Sequence, residues 1–446
     1  MAMPMRIAQQ TRCHVYLLRS LLPPNSNAVY GRITAGSCRH YTQQGQDSRE
    51  LEKFLQQRIK VNGPITVAEY MKTVLTNPIS GYYMKTDVFG AKGDFITSPE
   101  ISQIFGELLG VWIVHEWMLL GSPQKLQVVE LGPGRGTLAE DILRVFAKLM
   151  QIKDVVSLHL VEVSPKMSEM QELKLTGVIT GSADSGKDCE RLQDGPAGYK
   201  TARAKNGTPV TWYRKLEDVP RGVPTCFIAH EFFDALPVHK IQKTEKGWHE
   251  VLVDVCNENA TSPFQFVLSP TDTAVSRLFV QQDEMRSHVE VCPEGAVVAQ
   301  NMAERISQDG GCALIVDYGH DGTKGDTFRG FRNHKLHDVL TEPGTADLTA
   351  DVDFAFLRRM VADRAVCHGP ISQRVFLKNM GIDYRLQALI QNANESQRKD
   401  LISGYRMLTD SDQMGNRFKF FAVLPKSNDG SDRTEQKPRL PTGFYS

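Results

Sequence analysis

A short, largely apolar strand that runs straight into a glycine-rich turn constrains this chain more than any other feature. Leu126–Val129 precedes Glu130-Leu131-Gly132-Pro133-Gly134-Arg135-Gly136-Thr137, which opens a helix. In open α/β sheets such a strand-to-helix turn is where nucleotide-like ligands bind. Three glycines at alternate positions let the main chain pass close to a ligand with no Cβ in the way. The spacing is G-x-G-x-G, whereas the dinucleotide fingerprint G-x-G-x-x-G needs a glycine where Thr137 stands, and no Gly-Lys-Ser/Thr follows as a P-loop requires. NAD and nucleoside triphosphates are thereby disfavoured.

The acid before the glycines points the same way. Glu130 would repel a pyrophosphate and attract a cationic ligand. S-adenosylmethionine carries a sulfonium and an ammonium and no phosphate, so it is the cofactor these residues suit. Glu162 ends the next strand, Leu158-His159-Leu160-Val161-Glu162, where a carboxylate can accept both ribose hydroxyls. The candidate cofactor residues are therefore Glu130, Gly132, Gly134, Gly136 and Glu162.

Around this turn the pattern alternates: strand Leu126–Leu131, helix Thr137–Met150, strand Val155–Val163, helix Pro165–Leu175. Strands are predicted again at Val210–Tyr213, Cys226–His230 and Ala313–Asp317, with a hairpin of Trp248–Val255 and Phe264–Leu268. Such alternation predicts an α/β fold, a parallel sheet covered by helices. Short helices at Leu51–Ile59 and Val67–Leu75 precede it, and Ser98 or Thr97 can cap a helix over Ile101–Leu120. That helix contains Glu107, His115 and Glu116, too charged to span a bilayer. Gly181–Gly207 reads as an exposed insertion and the chain from Lys426 as a polar, frayed tail.

With 446 residues, 41% of them hydrophobic, the chain can bury a full α/β core and still carry additions. Basic and acidic residues balance at 52 each, so no overall field gathers nucleic acid or an anionic membrane. The local exception is the first 46 residues, with Arg6, Arg12, Arg19, Arg32 and Arg39, no lysine and no acid before Asp47. A cationic, acid-free amphipathic segment is the build of a mitochondrial transit peptide, and Arg39-His40-Tyr41 suits cleavage before Thr42. The predicted organisation is a transit peptide at 1–41 and an N-terminal helical region and loop at 42–125. A catalytic domain follows at 126–425, with the insertion near 181–207, and then a polar tail at 426–446. Eight cysteines without any C-x-x-C spacing imply neither a zinc site nor a disulfide framework.

A second chemical cluster follows the strand at Cys226: His230-Glu231-Phe232-Phe233-Asp234, again at a carboxyl end of the sheet. Glu231 and Asp234 are the candidate catalytic pair. A guanidinium stays protonated, and two carboxylates could clamp it in line with a donor methyl. Phe232 and Phe233 either face the cation or adenine or fill the core. His320, Asp321, His334, His337 and Asp338 lack a settled ligand spacing, so a substrate-facing loop is favoured there over a metal site.

Taken together, the segments Gly93–Glu107, Glu130–Thr137, His230–His239, Asp317–Thr327 and Gly344–Phe354 resemble the MidA-like methyltransferases, and the similarity runs from about Leu51 to Leu424. The resemblance implies a class I (Rossmann-like) methyltransferase with a seven-stranded sheet and added helical N-terminal and substrate-side elements. It also implies a matrix enzyme that symmetrically dimethylates an arginine on a core subunit of respiratory complex I, early in assembly. The better-known arginine methyltransferases place two glutamates at a wider spacing than Glu231 and Asp234. The competing reading is an assembly chaperone that binds the cofactor without obligatory turnover, against which the acids beside the donor argue. A small-molecule or RNA methyltransferase is a third, and no basic, aromatic-interleaved patch supports RNA.

Overall fold

Leu126–Leu131 is buried along its whole length, as a strand between parallel neighbours with both faces covered must be. It lies at the centre of the computed structural model, which describes residues 40–85, 97–149, 152, 154–179, 198–256, 262–426 and 439–445. The expected transit peptide up to residue 39, the loop 86–96, residues 180–197 of the insertion and residues 427–438 of the tail lie outside the described residues.

The main sheet is built from β1 Leu126–Leu131, β2 Val156–Val161, β3 Lys200–Arg203, β4 Pro209–Tyr213, β5 Thr225–His230, β6 Gly311–His320, β7 Val352–Asp353, β8 Ala365–Ser372 and β9 Phe418–Pro425. Its order is β8-β9-β6-β5-β1-β2-β4-β3, with β7 beside the end of β6. β6, β5, β1, β2 and β4 run parallel, and β9 is inserted antiparallel between β6 and β8. The sheet therefore has nine strands among the described residues where seven were expected. β7 is a two-residue addition, and β3 forms an antiparallel edge on β4. β3 also corrects the reading of 181–207 as an exposed insertion, because its last residues are a strand of the sheet.

Alternate residues of each strand feed two cores. Val128, Ile228 and Leu314 pack on one face against the helices Gln103–Leu119 and Thr137–Lys148. Val129, Phe227 and Ile315 pack on the other against Pro293–Asp309 and Phe354–Val361. Gln103–Leu119 is buried on nearly all faces and crosses Thr137–Lys148 closely: a Cβ on Gly106 would stand 2.5 Å from that of Asp141. Glu107 is fully paired, accepting from Arg385 at 2.8 and 3.0 Å. The helix predicted over Ile101–Leu120 is split. Ser98–Ile101 is a separate turn, and Ser102, not Ser98 or Thr97, caps the longer helix by accepting from Ile104 N–H.

The helices His40–Asn62 and Val67–Thr76 join a third core with a five-stranded antiparallel sheet. That sheet holds the predicted hairpin, Gly247–Val255 with Phe264–Leu268, and three further strands, Ile65–Thr66, His239–Thr244 and His288–Val291. A three-stranded sheet of Arg329–Arg332, Lys335–His337 and Asp347–Thr349 occupies what was expected to be a loop. The tail is corrected too. Thr442 and Phe444 are buried, Trp112 donates to Thr442 O at 3.1 Å, and Glu116 accepts from Thr442 N–H at 2.9 Å and from Arg439. Among the described residues no helix is long and apolar enough to cross a membrane.

Candidate functional site

The chain leaves β1 toward β2 on one side and β5 toward β6 on the other, so a crevice opens between the carboxyl ends of β1 and β5. Open α/β sheets bind ligands at this switch point. Both predicted clusters sit there: the glycine turn follows β1 and His230–Asp234 follows β5.

Gly132, Gly134 and Gly136 all have positive φ, at 62°, 50° and 77°, a region that side chains with a Cβ rarely enter. Gly136 is the N-cap of Thr137–Lys148, leaving the first main-chain N–H groups of that helix directed at the crevice. Glu130 is 3% exposed, its Oε2 has no hydrogen-bond partner, and burial pushes its pKa up to about 8. An orphaned buried carboxyl oxygen beside a turn without Cβ atoms fits a cationic amino-acid ligand. Glu162 is tied down, accepting Ser164 N–H at 2.7 Å and Gln171 Nε2 at 2.9 Å. Burial still holds its pKa at about 7 against those donors. Each oxygen retains a second lone pair for a ribose hydroxyl.

Glu231 itself has a φ of 49°, a left-handed conformation that costs roughly 1–2 kcal/mol for a residue with a Cβ. Asp317 holds the turn open: its Oδ2 accepts the main-chain N–H groups of Phe232, Phe233 and Asp234 at 3.2, 3.0 and 3.3 Å. Asp234 Oδ2 accepts from Tyr318 Oη and, at 2.9 Å, from Thr349 Oγ1, while Oδ1 is orphaned. Burial and the neighbouring Asp234 drive Glu231 well above the usual carboxylate range, and burial raises Asp234 too. His230 Nε2 lies 3.4 Å from Glu231 Oε1, but burial pushes the imidazole down to about 3, so it is neutral and forms no ion pair.

The aromatic pair divides its work. Phe233 is core, while Phe232 lies over the glycine turn, so that a Cβ on Gly132 would stand 2.9 Å from its ring. Of His320, Asp321, His334, His337 and Asp338, all but His334 are used locally. His320 Nδ1 accepts Thr323 N–H, Asp321 pairs with Arg358, His337 contacts Thr341 O, and Asp338 accepts Leu340 N–H. His239 pairs with Glu250 at 2.6 Å. Among the described residues no three His, Cys, Asp or Glu side chains converge as a metal site.

Residues 108–371 match the family described as "Putative S-adenosyl-L-methionine-dependent methyltransferase". The chain belongs to this family. The methyltransferase is 56% identical over 373 residues to the Xenopus laevis "Protein arginine methyltransferase NDUFAF7, mitochondrial", covering 83% of each chain. To the human protein of that name it is 53% identical over 397 residues, 88% of each chain. To the Drosophila melanogaster homolog it is 50% identical over 380 residues, 84% of this chain and 85% of that one. Its fold is similar to the crystal structure of a Burkholderia thailandensis protein bound to S-adenosyl-homocysteine, with a TM-score of 0.67 at 23% identity over 87% of this chain and 95% of that one.

Several residues of the candidate site were not singled out from the sequence. Gln171 is fully buried and joins three parts at once. It donates to Gly134 O at 2.7 Å and to Glu162, and accepts from Trp212 Nε1 at 2.9 Å. Tyr83 donates to Asp347 at 2.7 Å, and its carbonyl accepts from Ser164, linking the donor side to the acid cluster. Tyr318, Thr349 and Asp347 fall inside Asp317–Thr327 and Gly344–Phe354, segments that the family resemblance had marked without assigning roles.

Proposed function

We propose that this methyltransferase transfers a methyl group from S-adenosyl-L-methionine to an arginine of another protein in the mitochondrial matrix. The substrate in this reading is a core subunit of complex I, dimethylated symmetrically early in assembly. The relatives' names supply the arginine and the mitochondrion, and the arginine-rich, acid-free first 46 residues suit import. The observation that carries the arginine reading is the pair Glu231, partly buried, and Asp234, buried, each with one orphaned carboxyl oxygen, at the switch point beside the glycine turn.

The donor, when bound, supplies an electrophilic methyl on a sulfonium. Glu130 takes its ammonium, the N–H groups at the start of Thr137–Lys148 its carboxylate, and Glu162 the ribose. Glu231 meets the guanidinium, and the arriving cation pulls its pKa down and ionises it. The carboxylate then orients a guanidinium nitrogen toward the methyl and accepts the proton that nitrogen must lose. Tyr318 and Thr349 hold Asp234 as the second wall of the clamp.

The test is transfer of labelled methyl to matrix extract from cells lacking the enzyme, followed by amino-acid analysis. Methylarginine on a complex I core subunit with wild type, and about 100-fold less or lower with Glu231→Gln at unchanged donor binding, is the expected result. Donor binding with no labelled protein at any concentration would mean a cofactor-binding chaperone instead.

A further inference from the structure

Glu231 and Phe232 are chain neighbours with different surroundings. Phe232 packs on Gly132, at the donor turn. Glu231 instead forms part of the lining of a separate cleft of about 1300 Å3, to which Glu130, the three turn glycines and Glu162 contribute nothing. Glu231, with its positive φ, therefore stands where the cleft adjoins the glycine turn.

The cleft is larger than the roughly 300–1,000 Å3 typical of small-molecule sites. One wall is the segment that leaves β6, beginning with Tyr318. The opposite wall is the helix Glu395–Thr409, which presents Asp400, Ser403 and Met407 on one face at i, i+3 and i+7. All three are exposed, so the cleft opens along the helix. Tyr318 lines it with Glu231, donates its hydroxyl to Asp234, and carries the Arg329 guanidinium over its ring at 5.3 Å.

We infer that this cleft receives an extended segment of the substrate protein, whose arginine side chain passes Tyr318 and Arg329 and reaches Glu231 where the cleft adjoins the donor turn. The inference rests on the arginine reading above and adds the route of entry and the kind of ligand: several residues of main chain lying along Glu395–Thr409, not a free amino acid or another small molecule.

The experiment places a tryptophan in the cleft. Ser403→Trp, at an exposed position, leaves donor binding intact and lowers methyl transfer to matrix extract at least tenfold. Lys399→Trp, on the same helix but outside the cleft, leaves transfer unchanged. A photo-crosslinking residue at position 400 of the otherwise unaltered protein is captured by the methylated subunit. Undiminished transfer by Ser403→Trp, or no crosslink while wild type labels arginine, overturns the cleft and leaves the arginine reading standing. Equal methylation of free arginine and of protein overturns the extended ligand. A wild type that labels no arginine anywhere removes both readings together.

Discussion

Glu130 in the free protein keeps a proton below about pH 8, and the proposed cationic ligand would displace it. Burial raises its pKa from an ordinary 4.5 to about 8, so the folded state holds a proton the unfolded chain has already released across that interval. The stability this contributes is full below about pH 4.5 and is lost as pH rises through 8. A bound ammonium reverses the preference, so donor affinity should strengthen between pH 6.5 and 8.5. Calorimetric Kd values across that range test this, and Glu130→Gln should flatten the curve; a flat curve for wild type would place the ammonium elsewhere. Methyl transfer should also rise toward alkaline pH, because Glu231 sits well above the usual carboxylate range and must ionise. Gly132→Ala faces two obstacles, a φ of 62° and a ring 2.9 Å from the new Cβ. Donor affinity should drop at least about tenfold while circular dichroism stays native.

At the scale of elements, the helix Pro165–Thr176 does more than cover the sheet. Through Gln171 it fixes the glycine turn against Glu162 and Trp212. Gln171→Leu fills similar space but deprives Glu162 of a donor, and donor affinity should weaken about tenfold with little change in kcat. A fall in kcat alone would mean that Gln171 acts on the acceptor side. No periodicity marks this glutamine, since its partners are 9, 37 and 41 residues away. The same limit explains which strands were legible. β1, β5 and β6 are largely apolar on both faces and β2 is apolar on one, so all four read directly, whereas β3, Lys-Thr-Ala-Arg, is an edge strand with alternate residues exposed and looks like loop. His239–Thr244 is likewise mostly polar, and its strand character comes from neighbours on both sides. The acids of the site were legible as residue types at the ends of strands. Their orphaned oxygens, and the supporting Asp317 and Tyr318, depend on strands far apart in sequence.

For the whole molecule, the polar composition after Lys426 concealed a structural tie. Glu116 is fully buried and accepts from Thr442 N–H and Arg439, with Trp112 bonded to the same loop. Deleting residues 439–446 would strand that carboxylate and uncover Phe376, which packs against Phe444. A buried charge left alone costs roughly 3–5 kcal/mol, so thermal unfolding should begin at least about 5 °C lower. Differential scanning fluorimetry measures it, and Glu116→Gln in the truncated chain should recover part of the loss. An unchanged melting curve would make the docked tail dispensable. β9 extends the same dependence on late residues. It lies between β6 and β8, and among the described residues β8 has no other partner in the sheet. A chain emerging from a ribosome in sequence order therefore presents Ala365–Ser372 well before residues 418–425 arrive to pair with it. Through that interval the flank of β6 is also open, and the half-made protein is a natural client for a chaperone that shields unpaired strands.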